Sequence, residues 1–103
     1  MQDILVVEEG GKLVAAAWVA ERLIEGGQAR RLPVAFVQEI CVSSGSRRTG
    51  VGRSLMAAVK NWALKRNLVR VELNVWSANA GAISFYEELG FEFARHEMVQ
   101  WIE

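Results

Sequence analysis

The stretch SRRTGVGRSLM, which begins at Ser46, sets arginines and glycines directly before an apolar helical pattern. Backbone N–H groups at a helix start have no intrahelical partner, and the helix dipole is positive there. Gly50 and Gly52 would let a ligand approach the backbone closely. Positive charge would come from three side chains: Arg47, Arg48 and Arg53. The stretch therefore predicts either a pyrophosphate-binding loop or a tight turn whose arginines are simply solvated.

Two familiar nucleotide-binding fingerprints do not fit this stretch. A P-loop needs a Lys-Ser/Thr pair after its last glycine, whereas Gly52 is followed by Arg53-Ser54. The dinucleotide fingerprint needs a third glycine where this chain has Leu55. A nucleotide hydrolase and a dehydrogenase are therefore disfavoured.

Other side chains that could take part in chemistry lie on neighbouring elements. The segment NAGAISFYEELGF, from Asn79 to Phe91, carries a tyrosine, Tyr86, on the apolar face of a helix that Gly90 ends. Asn79 is a natural N-cap for that helix. Glu39 is an acid in an otherwise apolar strand, so it is either a site residue or an exposed edge residue. Cys41, the only cysteine, is expected to be a small core residue.

The hydrophobic periodicity predicts the elements that position these residues. Strands are expected at Ile4–Val7 and Leu13–Val19, joined by a Gly10-Gly11 hairpin turn, with a loop from Glu21 to Arg31. Further along, the pattern predicts a strand at Val34–Val42, a helix at Val51–Arg66 capped by Asn67, a strand at Val69–Trp76, the Tyr86 helix, and one or two strands in Phe91–Ile102. The order β-β-β-α-β-α-β indicates an α+β fold with a mixed sheet.

Length and composition bound the class of protein. A chain of 103 residues predicts a single domain over residues 1–103. The formal net charge of zero argues against nucleic-acid or anionic-membrane binding, and one histidine and one cysteine are too few ligands for a typical zinc site. No apolar run approaches the ~20 residues of a membrane span. We therefore expect a soluble cytoplasmic protein that binds no metal.

Two motifs resemble those of the GNAT superfamily of N-acetyltransferases. Arg47-Arg48-Thr49-Gly50-Val51-Gly52 fits the Q/R-x-x-G-x-G/A motif, and Asn79–Phe91 is similar to the N-x-x-A-x-x-F-Y-x-x-x-G-F segment. The resemblance implies a GNAT-like acyl-CoA N-acyltransferase fold and transfer of an acetyl group from acetyl-CoA to an amine in a ternary complex. The acceptor would be a small molecule or a protein amino group.

The resemblance also implies roles for individual residues. The strand backbone at Ile40, Cys41 and Val42 would pair with the pantetheine arm of acetyl-CoA, in a gap between splayed strands. The loop backbone from Arg48 to Arg53 would hold the pyrophosphate. Asn79, Phe85 and Tyr86 would lie near the pantetheine and sulfur. Tyr86 would act as the general acid for the leaving thiolate. A phenol with a pKa of about 10 is a weak acid, so it can protonate the thiolate only when its hydroxyl is positioned for it. For the general base the first candidate is Glu39, and Glu72 and Asn74 on the neighbouring strand come next. Some family members carry a carboxylate where this chain has Asn74, so the route through Asn74 looks closed, and a base acting through water is the remaining alternative.

In one respect the sequence departs from the family pattern. Members usually have a strand and two helices before the hairpin, and that part builds much of the acceptor wall and covers a sheet edge. This sequence starts at the hairpin, so we expect a domain without that part, or else a truncated product or a subdomain. An exposed edge strand at Ile4–Val7 would favour pairing with another chain, so a homodimer that covers this edge is expected. The alternatives to an enzyme are a non-catalytic acyl-CoA-binding or interaction module and a purely structural dimer.

Overall fold

The structure is a computed structural model that describes residues 1–25, 28, 30–46 and 50–102. Strands β1 (Gln2–Glu9), β2 (Lys12–Glu25) and β3 (Arg31–Val42) form an antiparallel meander, and β4 (Arg70–Glu72) pairs with β3 in parallel. A short 3₁₀ turn (Ser44–Ser46) precedes helix α1 (Val51–Lys65), and helix α2 (Ala80–Glu88) follows β4. This mixed four-stranded sheet with two helices confirms the predicted fold class. In the described part of the chain, no helix is long and apolar enough to cross a membrane.

The predicted hairpin is present, and its strands are longer than expected. Gly10 and Gly11 both have positive φ angles, of 57° and 81°, as the tight turn between β1 and β2 requires. Strand β2 continues to Glu25, so the predicted loop from Glu21 onwards was wrong over residues 21–25. These residues pair with β3, and the Arg22 guanidinium lies 4.0 Å from the centre of the Phe36 ring. Cross-strand contacts thus stabilise a stretch whose charged sequence predicts a loop.

Helix α1 packs across one face of the sheet and forms the core with it. Its buried residues follow the helical spacing of the apolar positions in the sequence: Val51, Leu55, Met56, Val59, Trp62 and Ala63. The strand residues beneath it are small: Ala15, Ala17, Val19, Ala35 and Val37. The indole Nε1 of Trp62 donates to Asp3 Oδ2 at 2.8 Å and so ties the end of α1 to β1. Asn67, with φ 59°, adopts the left-handed conformation after the helix, and Leu68 N–H donates to the Ala63 carbonyl. The predicted cap at Asn67 is therefore a Schellman motif, which fixes where α1 ends.

The parallel pair of β3 and β4 is short, and the chain segments beyond it separate. Pairing is limited to Val34–Phe36 against Arg70–Glu72. In the β2–β3 pair, Trp18 lies opposite Glu39 and Val19 opposite Val37, so Gln38 is an extra residue in a bulge. A bulge bends its strand. This bend coincides with the loss of pairing to β4, and a gap opens between residues 37–42 and residues 73–76.

Two strand predictions fail in this region. The predicted strand Val69–Trp76 is reduced to Arg70–Glu72, and residues 91–102 contain no strand. The first stretch alternates as a strand should and the second is β-prone in composition, but a strand exists only where a neighbouring backbone accepts its hydrogen bonds. Within the described chain no such neighbour pairs with residues 73–76 or 91–102, and Met98, Trp101 and Ile102 are almost fully exposed.

Candidate active site

A cleft of about 440 Å³ lies where the end of β3, the start of α1 and the face of α2 meet. It brings together residues that the two sequence motifs singled out separately. Its lining residues are Ile40, Val42, Ser46, Gly50, Gly52, Arg53, Leu55, Met56, Phe85, Tyr86 and Glu88. Of the other predicted cofactor residues, Arg47, Arg48 and Thr49 lie outside the described residues. We call this space the first cleft.

The start of α1 presents backbone donors at the first cleft. Gly50 precedes the helix with a φ of 87° and supplies no side-chain cap. The first backbone bond of the helix is Ser54 N–H to the Gly50 carbonyl, at 3.1 Å. The N–H groups of Val51, Gly52 and Arg53 precede it and have no acceptor within the helix. A Cβ at Gly50 would meet no atom of the described residues within 4 Å. The arrangement offers oriented donors to an anion.

Gly52 has a packing role that the sequence did not predict. A Cβ built on it would lie 3.1 Å from Cζ of Phe85, so the close approach at Gly52 is made by the Phe85 ring of α2. Gly52 also lines the first cleft, so the prediction that a ligand approaches its backbone stays a prediction. The glycine lets α1 and α2 pack together, and this contact joins the two sequence motifs directly. Their separation in the sequence gave no sign of it.

Arg53 has a partner that the sequence did not suggest. Its Nη2 donates to Glu88 Oε2 at 3.0 Å, and the two side chains are 56% and 62% exposed. Arg53 lies in the first turn of α1 and Glu88 is the last residue of α2, and both line the first cleft. A cation predicted to meet a pyrophosphate is thus already engaged by a carboxylate.

Tyr86 is held firmly at the centre of the site. Its ring contacts Phe85 and Phe91 edge to face, with ring centres 5.2 and 5.5 Å apart. Gly90, at φ 95°, ends α2 in a second Schellman motif, in which Phe91 N–H donates to the Tyr86 carbonyl at 3.0 Å. Burial raises the pKa of the Tyr86 hydroxyl above its ordinary value of 10.0. The phenol therefore stays protonated at neutral pH and is available as a donor.

A second cleft, of about 200 Å³, occupies the gap between the separated segments after β3 and β4. It shares Ile40 and Tyr86 with the first cleft, and its other lining residues are Val37, Gln38, Glu39, Leu73, Asn74, Val75, Trp76, Asn79 and Ala82. Glu39 is its one acidic side chain, and the Trp76 side chain is 86% exposed. This gap agrees with the expectation that the strands flanking α1 splay apart.

Asn79 has the capping role predicted for it and also lines the second cleft, while its predicted place near the pantetheine stays a prediction. Its Oδ1 accepts a hydrogen bond from Ala82 N–H at 3.1 Å, so it is the N-cap of α2. Because a backbone N–H can bond only to the amide oxygen, the Nδ2 group remains as a donor, and the residue lines the second cleft.

Two other predictions are changed by the structure. Cys41 is exposed, so the prediction that it lies in the core was wrong. Successive strand residues face opposite sides of the sheet, so Cys41 lies on the face of β3 opposite to Ile40 and Val42, which line the first cleft. Glu72 is only 9% exposed and binds Arg70 at 2.7 Å and Arg95 at 3.2 Å. It lines neither cleft and acts as an anchor for the segment after α2, which removes the geometric basis for its role as a base.

The fold and the motifs match known acetyltransferases. The chain is 44% identical over 59 residues to an uncharacterised N-acetyltransferase of Methanocaldococcus jannaschii, an alignment that covers 57% of this chain and 26% of that protein. Its structure is similar to that of a mutant protein from Bacillus halodurans (TM-score 0.89, 22% identity, 98% of this chain and 66% of that one). It is also similar to the aminoglycoside N-acetyltransferase AAC(6')-Iy in complex with CoA (TM-score 0.82, 21% identity, 97% and 75%).

These similarities differ in what they establish. The aligned part is about a quarter of the curated relative's length, and the identities to the solved structures are low enough to indicate the fold alone. The model of the acetyltransferase (GNAT) family, in contrast, matches residues 2–91, which is nearly the whole chain and includes both motifs. The chain belongs to the GNAT acetyltransferase family.

Proposed function

We propose that the protein is an acetyl-CoA-dependent N-acetyltransferase that acts on an amine by direct attack in a ternary complex. The observation that carries the proposal is that two clefts of different chemistry meet at Ile40 and Tyr86. One offers helix N-terminal donors and an arginine, which suit a phosphorylated ligand. The other contains a carboxylate and no basic side chain among its lining residues, which suits an amine.

The first cleft fits the acetyl-CoA side of the reaction. The backbone donors of Val51, Gly52 and Arg53 would hold the pyrophosphate, together with Arg47, Arg48 and Thr49 as the motif predicts. Beyond Phe36, the edge of β3 that faces the gap pairs with no strand in the described chain. Backbone groups of Ile40, Cys41 and Val42 can therefore bond to the pantetheine amides where this arm reaches from the first cleft towards the junction with the second. The donors present therefore match the acidic and amide groups of acetyl-CoA.

The second cleft fits a cationic acceptor. The Glu39 carboxylate attracts an ammonium group, and the exposed face of Trp76 can stabilise a cation by about 0.5–2 kcal/mol. Asn74 and the free Nδ2 group of Asn79 add hydrogen bonds. The aminoglycoside N-acetyltransferase with a similar fold acts, by its name, on an acceptor with several amino groups, which supports the same class here.

The acetyl group would then be transferred where the two clefts meet, beside Ile40 and Tyr86. The amine loses a proton to Glu39, directly or through water, and its nitrogen attacks the thioester carbonyl. A strand N–H of β3 stabilises the oxyanion. The C–N bond forms, the C–S bond breaks, and the leaving thiolate takes its proton from the Tyr86 hydroxyl. The resulting phenolate recovers a proton from the nitrogen of the new amide, directly or through water, and Glu39 releases its proton to solvent. No covalent enzyme intermediate is needed, so the exposed Cys41 has no role as a nucleophile.

The test combines a binding measurement with a turnover measurement. Calorimetric titration with acetyl-CoA should show binding, and free thiol should be released in the presence of amines from a panel of mono- and diamines. Tyr86→Phe should lower kcat at least tenfold with little loss of acetyl-CoA affinity, whereas Arg48→Ala should weaken binding. Glu39→Gln should lower kcat/KM, and Glu9→Gln, at the β1–β2 hairpin, is the matched control. Binding without thiol release for any amine would identify the protein as a non-catalytic acyl-CoA-binding module instead.

We also propose that the protein is a homodimer in which a second copy covers the edge of β1. Strand β1 pairs only with β2 in the described chain, and Ile4 and Val6 on it are about half exposed. An apolar edge strand with open backbone groups is a favourable surface for strand pairing. Light scattering should give twice the mass of 11.5 kDa at micromolar concentration, and a monomer mass would exclude the dimer.

A further inference from the structure

The Arg53–Glu88 ion pair lies at the first cleft, and only one of its two charges suits the anionic ligand proposed for this cleft. Both side chains line the cleft, and a single 3.0 Å bond connects Nη2 of Arg53 with Oε2 of Glu88. Arg53 is suited to an anionic ligand beside the start of α1. Glu88 places a negative charge against the same space. The negative charge demands an explanation, because the ligand proposed for this cleft is itself an anion.

A carboxylate and a phosphate compete for the same guanidinium donors. Both accept N–H groups of an arginine in similar geometry, so Arg53 cannot satisfy Glu88 and a phosphate fully at the same time. When a ligand takes Arg53, Glu88 also remains nearby as a like charge. The pair is exposed on both sides, and pairs of this kind are worth a factor of about five or less in an equilibrium constant. A ligand can therefore displace it.

We propose that Glu88 sets the affinity of the first cleft for phosphorylated ligands, by acting as an internal competitor for Arg53. In the free protein Glu88 holds Arg53, and a ligand binds only by replacing it. Glu88 thus weakens ligand binding and favours release of the product. This inference rests on the proposed function, because it names a residue that regulates the same cleft.

Calorimetric titration with CoA tests the proposal in four proteins. Glu88→Gln should bind CoA about two- to fivefold more tightly than the wild type, since an exposed pair of this kind is removed. Arg53→Gln should bind more weakly. In the Arg53→Gln/Glu88→Gln double variant the gain should vanish, because it requires a free Arg53. The affinity of Glu88→Gln should also fall more steeply with salt than that of the wild type, in which salt weakens the competing pair as well.

Glu87→Gln is the matched control, since it removes the same charge from an exposed neighbour that does not line the cleft. It should leave CoA affinity unchanged. Equal affinity of the wild type and Glu88→Gln would overturn the inference while the proposed function stands. A gain that persists without Arg53 would also overturn it, because simple repulsion would then explain the effect. If only Glu88→Gln binds CoA, the competitor role holds and the proposed function of the natural chain fails. If none of the four binds, both fail.

Discussion

The contact between Gly52 and Phe85 yields a sharp prediction about packing. In Gly52→Ala, the new methyl group would lie 3.1 Å from Cζ of Phe85, closer than carbon atoms normally approach, and at an ordinary contact distance of 3.5 Å from Cε1. The ring must give by a few tenths of an ångström, and it is packed against Tyr86. We place the cost at the low end of overpacking, about 1 kcal/mol. Alanine gains at most about 1 kcal/mol over glycine in a helix, so the two effects should nearly cancel.

A matched variant separates these two effects. Gly81 occupies the second position of α2, as Gly52 does in α1, and a Cβ there would meet no atom within 4 Å. Gly81→Ala should therefore stabilise the protein by about 0.5–1 kcal/mol, while Gly52→Ala should not. In a Phe85→Leu background, which lacks the Cζ atom, Gly52→Ala should regain the stabilising effect, giving a coupling energy of about 1 kcal/mol.

Urea denaturation of these variants measures the free energies of unfolding, with the m-value fitted separately to check that only stability changes. If Gly52→Ala stabilises the wild-type protein as much as Gly81→Ala does, the contact with Phe85 does not explain the glycine. Gly52 would then not be the residue that lets the two motifs pack together.

Three further predictions follow from the site. Tyr86 is the only tyrosine, so tyrosinate absorbance should report its titration alone, with a midpoint above 10.0 in the folded protein and near 10 in urea. The folded state holds the phenol proton of Tyr86 more tightly than the unfolded state does, so the raised pKa should stabilise the fold fully below pH 10. This stabilisation should be lost as the pH rises through the folded pKa, and Tyr86→Phe should reduce the loss. Asn79→Ala should cost about 1 kcal/mol in thermal unfolding through the lost bond to Ala82, and Asn79→Ser should recover most of it; equal losses in both would argue against the cap. Gly90→Ala should cost about 1–2 kcal/mol because of its φ of 95°, with Gly90→Asn less harmful, and an unchanged midpoint for Gly90→Ala would contradict the left-handed cap.

Local sequence signals predicted the elements whose formation depends on nearby residues. The Gly10-Gly11 turn requires positive φ angles, and these residues supply them. The 3.6-residue periodicity identified the buried face of α1, and Asn79 and Gly90 identified the two ends of α2. The pattern failed where strand formation depends on a distant partner. Residues 91–102 are β-prone in composition, yet no backbone in the described chain pairs with them.

The residues of the candidate site also fall into two groups: those that local sequence identified and those that depend on distant partners. The two motifs alone identified Gly50, Arg53, Asn79, Phe85 and Tyr86, because residue type and spacing suffice for a resemblance. The residues that these five contact could not be identified in that way.

The contacts with those partner residues connect positions that are far apart in the chain. Nothing near Arg53 in the sequence points to Glu88, 35 residues away, and nothing near Gly52 points to the ring of Phe85. Nor does the sequence around Glu72 distinguish a catalytic base from an anchor for Arg70 and Arg95.

The sequence by itself thus determined the family, the helix ends and the residue types available for chemistry, since these depend on local conformation and composition. Only the tertiary structure decided the roles of glycines, acids and strand ends. A side chain's role depends on which atoms it meets, and the bulge at Gln38, the parting of β3 from β4 and the packing of α1 on α2 together select those atoms.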